Sequence, residues 1–322
     1  MKAIVVHHFG GPEVLQYEEV PDPEPKAGEA LVSIEAAGVN FIDIYQRSGA
    51  YKVALPAIPG QEGAGAVIAL GPNTTGVAVG DTVTWTGVLG SYAEKIAVPV
   101  DRLVVLPPGV STKQGAAIML QGMTAHYLAT STYPLDAGNT CLVHAGAGGV
   151  GLLLTQIAKM RRARVITTVS TEAKARLSRE VGADHVIQYT SEDFEAAVKR
   201  VTSGAGVQVV YDSVGQTTFE KSLNCLARRG MLVLFGQSSG PVPPFDPQVL
   251  SQKGSLFLTR PTLVHYTAAR EELQQRASDL FNWLKARKLR LQIEFECALR
   301  DAPEAHRALA GRRTMGKVIL LP

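Results

Sequence analysis

A glycine-rich turn in the middle of the chain carries the clearest chemical signal. Gly146, Gly148 and Gly151 have the spacing G-x-G-x-x-G, after a short apolar strand pattern and before an amphipathic helical pattern. Glycines at this spacing let the backbone approach phosphate oxygens, and the N–H groups that open the following helix attract an anion. The turn therefore predicts a site for the pyrophosphate of a dinucleotide. The residues expected to contact it are Ala147, Gly148, Gly149 and Val150.

The end of the next predicted strand bears on which dinucleotide binds. An acidic residue there accepts a hydrogen bond from the ribose 2′-hydroxyl of NAD, whereas hydroxyls and cations suit the extra phosphate of NADP. Ser170 takes the expected place of the acid, and Lys174 follows one helical turn later. Tyr189, after the third strand, can lie over the same phosphate. Glu172 argues for NAD, but the balance of these residues favours NADP(H).

The composition is that of a globular protein, with 46% hydrophobic and 19% charged residues and a formal net charge of +3. The basic pairs are short and scattered, so a nucleic-acid interface is not indicated. Three widely spaced cysteines, Cys141, Cys225 and Cys297, predict a reducing compartment, and the lack of a Cys/His cluster argues against structural zinc. The N-terminus does not resemble a signal peptide, and glycines interrupt the long uncharged stretch around the turn. We therefore expect a cytoplasmic protein without a membrane span.

Two segments of different character must position these residues. Up to about residue 110, short runs rich in Val, Ile and Ala are separated by Gly and Pro, a pattern typical of a barrel-like β domain. A single helical turn, Asn40–Arg47, is predicted within this region. The predicted strands are Ala3–Val6, Ala30–Ala36, Gly65–Leu70, Thr82–Trp85, Tyr92–Val98 and Leu103–Leu106.

Beyond this region two helices are predicted, Thr112–Met119 and Thr124–Thr132. From Thr140 strands and helices alternate, which predicts a parallel sheet with helices on both faces. The predicted strands are Cys141–His144, Arg164–Val169, His185–Ile187, Val207–Tyr211, Met231–Phe235 and Ser255–Leu258. The helices predicted between them are Val150–Arg161, Glu172–Val181, Phe194–Thr202 and Phe219–Leu226.

The last segment leaves this alternation and is expected to rejoin the first domain. Its predicted elements are a helix Thr267–Arg287, a strand near Ile293–Phe295, a helix Ala302–Ala310 and a strand Lys317–Leu321. A chain of 322 residues is long enough for two domains. We therefore predict a β-rich domain of residues 1–122 and 266–322 and a Rossmann domain of residues 123–265.

Two motifs are specific enough to suggest a family. They are the Asn-Phe-x-Asp segment that begins at Asn40 and the glycine motif with the paired Gly148 and Gly149. With them the whole chain resembles the zinc-free quinone oxidoreductases, the ζ-crystallin-like group of the medium-chain dehydrogenase/reductase superfamily. The other matching segments are Gly10–Leu15, Gly38–Gly49, Pro59–Gly65, Gly90–Glu94, Gln121–Ala125, Phe235–Gly240 and Thr314–Val318.

The resemblance implies an α/β protein. A GroES-like, β-rich catalytic domain would accompany a Rossmann fold with a doubly wound parallel sheet, with cofactor and substrate in the cleft between the domains. It also implies a homodimer or tetramer, in many members through the last Rossmann strands, here near Ser255–Thr259. Lys317 is expected on the surface of the last strand. The implied cofactor contacts are Gln121, Thr124, Val214, Gly215, Phe235, Gly236, Ser238 and Arg312, with Arg313 as the alternative to Arg312.

Two positions bear on a metal ion. In the zinc-dependent alcohol dehydrogenases of this superfamily a cysteine and a histidine stand where this chain has Asn40 and Gln61. Amide side chains are poor zinc ligands, so the resemblance implies a reaction without a metal. A hydride acceptor must then be reactive by itself, as quinones and conjugated carbonyls are.

The predicted reaction is hydride transfer from NADPH to a quinone or other conjugated carbonyl, followed by proton uptake. Asn40, Tyr45 and Tyr51 are the candidate hydrogen-bond donors to the developing oxyanion. Asp43 is expected to make an internal polar contact, and His126 to lie on a helix face. Two alternatives stay open: an NADPH-dependent alkenal or enoyl-thioester reductase, and an NADPH-binding regulatory or RNA-associated protein.

Overall fold

The computed structural model describes residues 1–322 and contains two compact units. The first unit comprises Met1–Met123, Thr267–Arg287 and Leu291–Pro322, and the second comprises Thr124–Tyr266 and Lys288–Arg290. Most of the C-terminal tail thus lies with the first part of the chain. No helix combines the length and the apolar character that a membrane span requires.

Strands and helices follow one another along the whole chain. The strands are β1 (Lys2–Val5), β2 (Gln16–Glu19), β3 (Glu29–Val39), β4 (Glu62–Leu70), β5 (Thr82–Thr86), β6 (Lys95–Pro99), β7 (Val104–Val105), β8 (Thr140–Val143), β9 (Arg164–Val169), β10 (His185–Gln188), β11 (Val207–Asp212), β12 (Leu226–Leu234), β13 (Phe257–Thr259), β14 (Ile293–Ala298) and β15 (Lys317–Leu321). The helices are α1 (Phe41–Arg47), α2 (Thr112–Tyr127), α3 (Gly149–Met160), α4 (Glu172–Glu180), α5 (Phe194–Val201), α6 (Phe219–Asn224), α7 (Gln248–Gln252), α8 (Arg270–Lys285) and α9 (Ala302–Ala310).

The first unit is built on a seven-stranded sheet in the order β14-β15-β3-β4-β5-β7, with β6 also paired to β3. The long strand β3 pairs antiparallel with β4, β6 and β15. Val318 of β15 faces Val39 of β3. The residue before Val318 therefore lies beside the residue after Val39, which brings Lys317 next to Asn40.

The second unit is the Rossmann domain. Its six strands run in the order β10-β9-β8-β11-β12-β13, and every pairing between them is parallel. The carboxyl ends of all six strands therefore meet at one edge of the sheet, and the strand order reverses between β8 and β11, the position where such sheets bind ligands. The α/β class with a parallel sheet in the second unit is confirmed.

One helix prediction was wrong, and two short elements, β2 and α7, were not predicted. Helix α2 runs unbroken from Thr112 to Tyr127 and continues as a π-helical turn over Leu128–Thr132, whereas two separate helices were predicted. Gly122 does not break it: a Cβ at this position would lie 2.7 Å from Ile118 Cγ1 and 3.1 Å from Leu280 Cδ1, so the glycine serves close packing. Strand β2 was not predicted, because its sequence Gln-Tyr-Glu-Glu has no apolar alternation, although it pairs antiparallel with β1.

Candidate active site

The glycine turn has the shape that phosphate binding needs. It joins β8 to α3, and Gly148 is the N-cap of α3 in extended conformation, with no capping side chain on the first N–H groups. A Cβ on Gly151 would overlap the carbonyl oxygen of Ala145, and one on Gly146 would lie 2.5 Å from Thr167 Cβ. These positions therefore admit only glycine. The turn and the amino end of α3 form a cradle of backbone donors that fits a dinucleotide pyrophosphate.

Ser170 and Tyr189 follow neighbouring parallel strands, and their backbones are joined. The Tyr189 amide donates to Val169 O at 3.1 Å, and Thr190 Oγ1 donates to Ser170 O at 3.0 Å. Lys174 lies in the first turn of α4, whose N-cap is Thr171. The structure therefore brings the predicted 2′-phosphate residues to one corner of the Rossmann domain.

Glu172, the residue that argued for NAD, is held on the protein surface. Its carboxylate accepts from Arg179 Nη1 at 2.7 Å and from Gln188 Nε2. The pKa of Glu172 lies below its ordinary value, mainly because of the hydrogen bond from Arg179. Both oxygens thus have partners within the domain, which weakens the case for a ribose contact.

The backbone loops after β11 and β12 are organised by Asp212. Its Oδ1 accepts from the backbone amides of Val214 and Gly215 at 2.8 and 3.0 Å, and its Oδ2 accepts from Thr218 Oγ1 at 2.7 Å and from Ser222 Oγ at 2.9 Å. The Asp212 carbonyl accepts from the Phe235 amide at 2.8 Å, and the amide of Ser238 donates to Ser213 O at 3.1 Å. The segments that contain Val214, Phe235, Gly236 and Ser238 are therefore fixed to each other.

His144 connects this arrangement to the glycine turn. It is buried directly before Ala145, with Nε2 3.0 Å from Ser222 Oγ and Nδ1 2.9 Å from Thr168 Oγ1. Burial lowers the pKa of His144, and Asp212 opposes that effect. We call His144, Asp212, Thr218 and Ser222 the Asp212 cluster. A neutral histidine at the end of β8 thus contacts β9 through Thr168 and helix α6 through Ser222.

In the first unit, a second group of buried polar side chains surrounds Asn40. Lys317 Nζ forms an ion pair with Glu62 Oε2 and donates to Asn40 Oδ1 at 2.9 Å. Gln121 Nε2 donates to Asn40 Oδ1 at 3.1 Å. The prediction of a surface lysine was wrong, because the side chains of Lys317 and Glu62 are only 2% and 0% exposed. We call Asn40, Glu62, Gln121 and Lys317 the Glu62 cluster.

Both amide hydrogens of Asn40 are used inside the Glu62 cluster. Asn40 Nδ2 donates to Gly38 O at 3.2 Å and to Glu62 Oε2 at 2.9 Å. Its oxygen accepts from two donors, so the hydrogen-bonding capacity of the amide is filled. This geometry does not support Asn40 as the donor to a reacting oxygen. Asn40 is the N-cap residue of α1.

A third network starts at Asp43, as expected of an internal polar contact. Asp43 Oδ2 accepts from the Asn40 amide at 2.8 Å and from Tyr92 Oη at 2.9 Å, and Tyr92 Oη lies 3.1 Å from His306 Nε2. Arg47 Nη1 lies 3.4 Å from His306 Nδ1. Because arginine can only donate, Nδ1 accepts and Nε2–H donates to Tyr92.

Burial dominates the electrostatics of this network. It raises the pKa of Asp43 to about 7, although the Asn40 amide, Tyr92 and Lys317 favour the carboxylate. It lowers the pKa of His306 to about 3, with a further contribution from Arg47, so the imidazole is neutral. It also raises the pKa of Tyr92 well above its ordinary value. The chain of hydrogen bonds is therefore fixed in one direction, towards Asp43.

The remaining predicted residues are divided between the units. Tyr45 and Tyr51 lie together on and after α1, with ring centroids 5.1 Å apart, and both are half-buried. Gln121 and Arg312 belong to the first unit, and Arg312 follows α9 with a φ of 57°. Thr124 and the other predicted cofactor contacts belong to the second unit. His126 is buried on α2, 3.2 Å from Thr130 Oγ1.

Known proteins resemble this chain over its full length. The alcohol dehydrogenase GroES-like domain family matches residues 26–108, and the zinc-binding dehydrogenase family matches residues 149–283. A quinone oxidoreductase from Pseudomonas aeruginosa is 47% identical, over 100% of this chain and 99% of its own. The structure of Escherichia coli quinone oxidoreductase complexed with NADPH is 41% identical, with a TM-score of 0.98 and full coverage of both chains. The chain belongs to the quinone oxidoreductases.

These enzymes are oxidoreductases of the medium-chain dehydrogenase/reductase superfamily, as the motifs indicated. A 2-haloacrylate reductase from Burkholderia is also similar, at 39% identity over 99% of this chain and 98% of its own. This quinone oxidoreductase family member therefore resembles reductases of two kinds of conjugated acceptor.

A zinc ion does not fit the residues of this family member, although one matching family is described as zinc-binding. Asn40 directs its oxygen to an ammonium and its nitrogen to a carboxylate, and Gln61 offers a second amide. No group of three or more His, Cys, Asp or Glu side chains able to hold a metal ion occurs among residues 1–322. Zinc needs thiolate, imidazole or carboxylate ligands in such a group.

Sequence reasoning missed the buried polar groups around the predicted site. Glu62 stands directly after Gln61, but nothing in the local sequence indicates that its carboxylate is buried and paired with a lysine. His306, Tyr92 and Arg47 come from three distant segments, and no local pattern joins them. A signal did exist at His144, a polar residue at the end of an apolar strand and directly before the glycine turn.

Proposed function

We propose that this chain is an NADPH-dependent quinone reductase that works without zinc. The overall reaction converts a quinone, NADPH and a proton into a hydroquinone and NADP⁺. NADPH supplies the hydride from its C4 position when bound. The proposal is supported above all by the glycine turn, whose shape fits a pyrophosphate, in a chain 41% identical to a quinone oxidoreductase that was solved with NADPH.

The Rossmann unit would bind the cofactor through groups that the fold already holds in place. The N–H groups at the start of α3 would bind the pyrophosphate, and Ser170, Lys174 and Tyr189 would bind the 2′-phosphate. We assign residues 123–265 to this domain. The other proposed cofactor contacts are Gln121, Thr124, Ala147, Gly148, Gly149, Val150, Val214, Phe235, Gly236, Ser238 and Arg312.

The catalytic domain, residues 1–122 and 266–322, would orient the acceptor. Tyr45 and Tyr51 are the proposed donors to the oxygen on which negative charge develops, because a neutral phenol donates without any pKa shift. Asn40 would act on them indirectly, through the first turn of α1. After hydride transfer the acceptor takes its proton from water or from one of these phenols.

The test is oxidation of NADPH and of NADH with 1,4-benzoquinone and 9,10-phenanthrenequinone, with and without a chelator. We expect turnover with NADPH that the chelator does not change. A Lys174→Ala variant should raise the KM for NADPH about tenfold and leave the KM for NADH unchanged, because it removes one charge-assisted contact to phosphate. Lys199→Ala, at an exposed lysine paired with Glu195, is the matched control. Preference for NADH, or inactivation by the chelator, would contradict the proposal.

A second acceptor class is favoured by the similarity to a 2-haloacrylate reductase. The same hydride transfer would then reduce a carbon–carbon double bond conjugated to a carbonyl group, with protonation of the neighbouring carbon. Comparing kcat/KM for benzoquinone with that for 2-chloroacrylate, a 2-enal and a crotonyl thioester separates the two. A higher value for an alkene substrate would replace the quinone assignment.

We further propose a cytoplasmic homodimer. Strand β13 forms one edge of the Rossmann sheet, and Phe257 on it and Val264 nearby are 56% and 51% exposed. An exposed apolar edge strand is suited to pairing with a second copy. Light scattering should give twice the mass of 34.3 kDa, and Phe257→Asp should shift the protein towards the monomer. All three cysteines are free, in keeping with a reducing compartment.

A further inference from the structure

Lys317 is a buried lysine in the part of the molecule where the acceptor would be oriented. Its side chain is 2% exposed, and its ammonium contacts Glu62 Oε2 and Asn40 Oδ1. Lysine is rarely buried to this degree unless it is paired, because removing the ammonium from water is costly. The pairing with Glu62 offsets that cost. A buried ion pair is on balance no more stabilising than apolar residues of the same size, so stability alone does not explain why these two charges are here.

The ammonium decides how the Asn40 amide is oriented. A lysine ammonium can only donate, so the atom of Asn40 that faces it must be the oxygen. The nitrogen must then face Glu62 and Gly38, as it does. If the ammonium were absent, Gln121 alone would hold the oxygen, and the amide could turn over.

Glu62 extends this control to a second element. Its Oε2 meets Lys317 and Asn40, while its Oε1 accepts from the Leu120 amide at 2.7 Å in the middle of α2. One carboxylate thus connects the end of β3, helix α2 and strand β15. The N-cap of α1 and the segment that carries Gln121 share one buried ion pair as their anchor.

The cluster is closed to additional groups. A Cβ on Gly38 would overlap Glu62 Oε2 and Ala116 O and would lie 2.7 Å from Lys317 Nζ. The positive charge in this closely packed cluster is that of the lysine side chain that enters from β15.

We propose that Lys317 is a positioning residue for hydride transfer and that its ammonium acts as an internal cation. It would balance the charge of Glu62 and fix the orientation of the Asn40 amide. Through Asn40 it would set the position of α1, which carries Tyr45. Through Glu62 and the Leu120 amide it would set the position of Gln121. The inference rests on the proposed reductase activity. Its consequence is that removal of the cation slows the hydride step more than it weakens NADPH binding.

The main variant is the double substitution Lys317→Met and Glu62→Gln, which removes both charges and leaves none unpaired. We expect kcat for benzoquinone to fall about 10- to 100-fold, the loss that follows a small misplacement of reacting groups. The dissociation constant for NADPH, measured by fluorescence, should stay within about threefold. The deuterium isotope effect with NADPH labelled at the transferred C4 position should increase, because the hydride step becomes slower.

The matched control is Lys113→Met with Glu296→Gln, which removes an exposed ion pair of 2.6 Å in the same unit. It should change neither kcat nor the isotope effect. The positioning role is wrong if the Lys317/Glu62 double variant keeps the wild-type kcat. It is also wrong if the loss of kcat is accompanied by an equal loss of NADPH affinity and by a lower melting temperature, because a general loss of structure then explains it. Lack of NADPH turnover in the wild type would instead contradict the proposed function.

The internal cation has its own test in Lys317→Ala. This change leaves space for a small amine next to Glu62. Ethylammonium should therefore raise the melting temperature of the variant and increase its kcat several-fold, and it should change neither quantity in the wild type. Tetramethylammonium, which has no N–H group, should do neither. If ethylammonium changes neither quantity, the charge of Lys317 is not what positions Asn40.

Discussion

The Glu62 cluster and the Asp212 cluster each bury a carboxylate, and they do so in different ways. Glu62 is paired with a lysine 255 positions away in the chain. Asp212 has no cation and accepts from two amides and two hydroxyls that all lie within ten positions of it. One carboxylate is therefore stabilised by an opposite charge, and the other by hydrogen bonds alone.

The difference follows from what each carboxylate holds in place. Asp212 fixes a loop of its own chain segment, so donors from that segment are sufficient. Without this carboxylate, the backbone amides that donate to it would be exposed or unpaired. Glu62 joins three separate elements, and its anchor includes a side chain from the last strand. The carboxylate in the Rossmann unit is therefore held by donors of its own chain segment, whereas the one in the first unit is held by a long-range ion pair.

The largest expected effect comes from removing one partner of the long-range pair. Glu62→Ala leaves the Lys317 ammonium buried and unpaired, which should lower the free energy of unfolding by about 3–5 kcal/mol. Asp212→Asn keeps an oxygen for the amides of Val214 and Gly215 and should cost only about 1–2 kcal/mol. Urea unfolding of both variants measures the contrast, and equal losses would contradict it.

Asp43→Asn should change how stability depends on pH. Burial raises the pKa of Asp43 from 3.8 to about 7, so the folded state holds this proton more tightly than the unfolded state does. The resulting stabilisation is complete below about pH 4 and is lost as the pH rises to about 7. Asparagine keeps an acceptor for Tyr92 and the Asn40 amide but does not titrate.

The measurement is the free energy of unfolding of wild type and Asp43→Asn at several values between pH 4 and 8. The wild type should lose on the order of a few kcal/mol relative to the variant across this interval. Parallel curves for the two proteins would show that Asp43 does not titrate in this range in the folded state.

His144→Leu tests the Asp212 cluster by its effect on the cofactor. The change removes the contacts to Ser222 and Thr168 and loosens the glycine turn from α6 and β9. We expect NADPH to bind about tenfold more weakly, or about 1.4 kcal/mol, with kcat at saturating NADPH within about twofold of the wild type. This is the reverse of the result expected for Lys317. An unchanged NADPH affinity would show that His144 does not contribute to cofactor binding.

The smallest effect is expected at an exposed ion pair. Lys113 and Glu296 lie 2.6 Å apart, but both side chains are more than a third exposed. Lys113→Met should change the free energy of unfolding by less than about 1 kcal/mol, since water screens such pairs. A loss as large as that of Glu62→Ala would mean that burial is not what distinguishes the Glu62 cluster.

Local features of the site could be predicted from the sequence. The glycine turn, the position of Ser170 after the second Rossmann strand and the alternation of strands and helices all follow from patterns of a few residues. The same reasoning was wrong where a residue served distant packing. Two separate helices were predicted, Thr112–Met119 and Thr124–Thr132, but Gly122 between them packs against Leu280 of another helix and α2 is continuous.

The sequence by itself determined the α/β class, the glycine-rich turn between the first Rossmann strand and its helix, and the family, because these depend on neighbouring residues and on their periodicity. Only the tertiary structure decided that Lys317 is buried and that both hydrogens of Asn40 are already used. The burial of Lys317 depends on the register of β15 beside β3, which sets residues from opposite ends of the chain next to each other. The contact of Asn40 with Glu62 depends on the pairing of β3 with β4. A lysine on a final strand has no local partner that would reveal its burial, and the energy of its charge is set by a carboxylate 255 positions away.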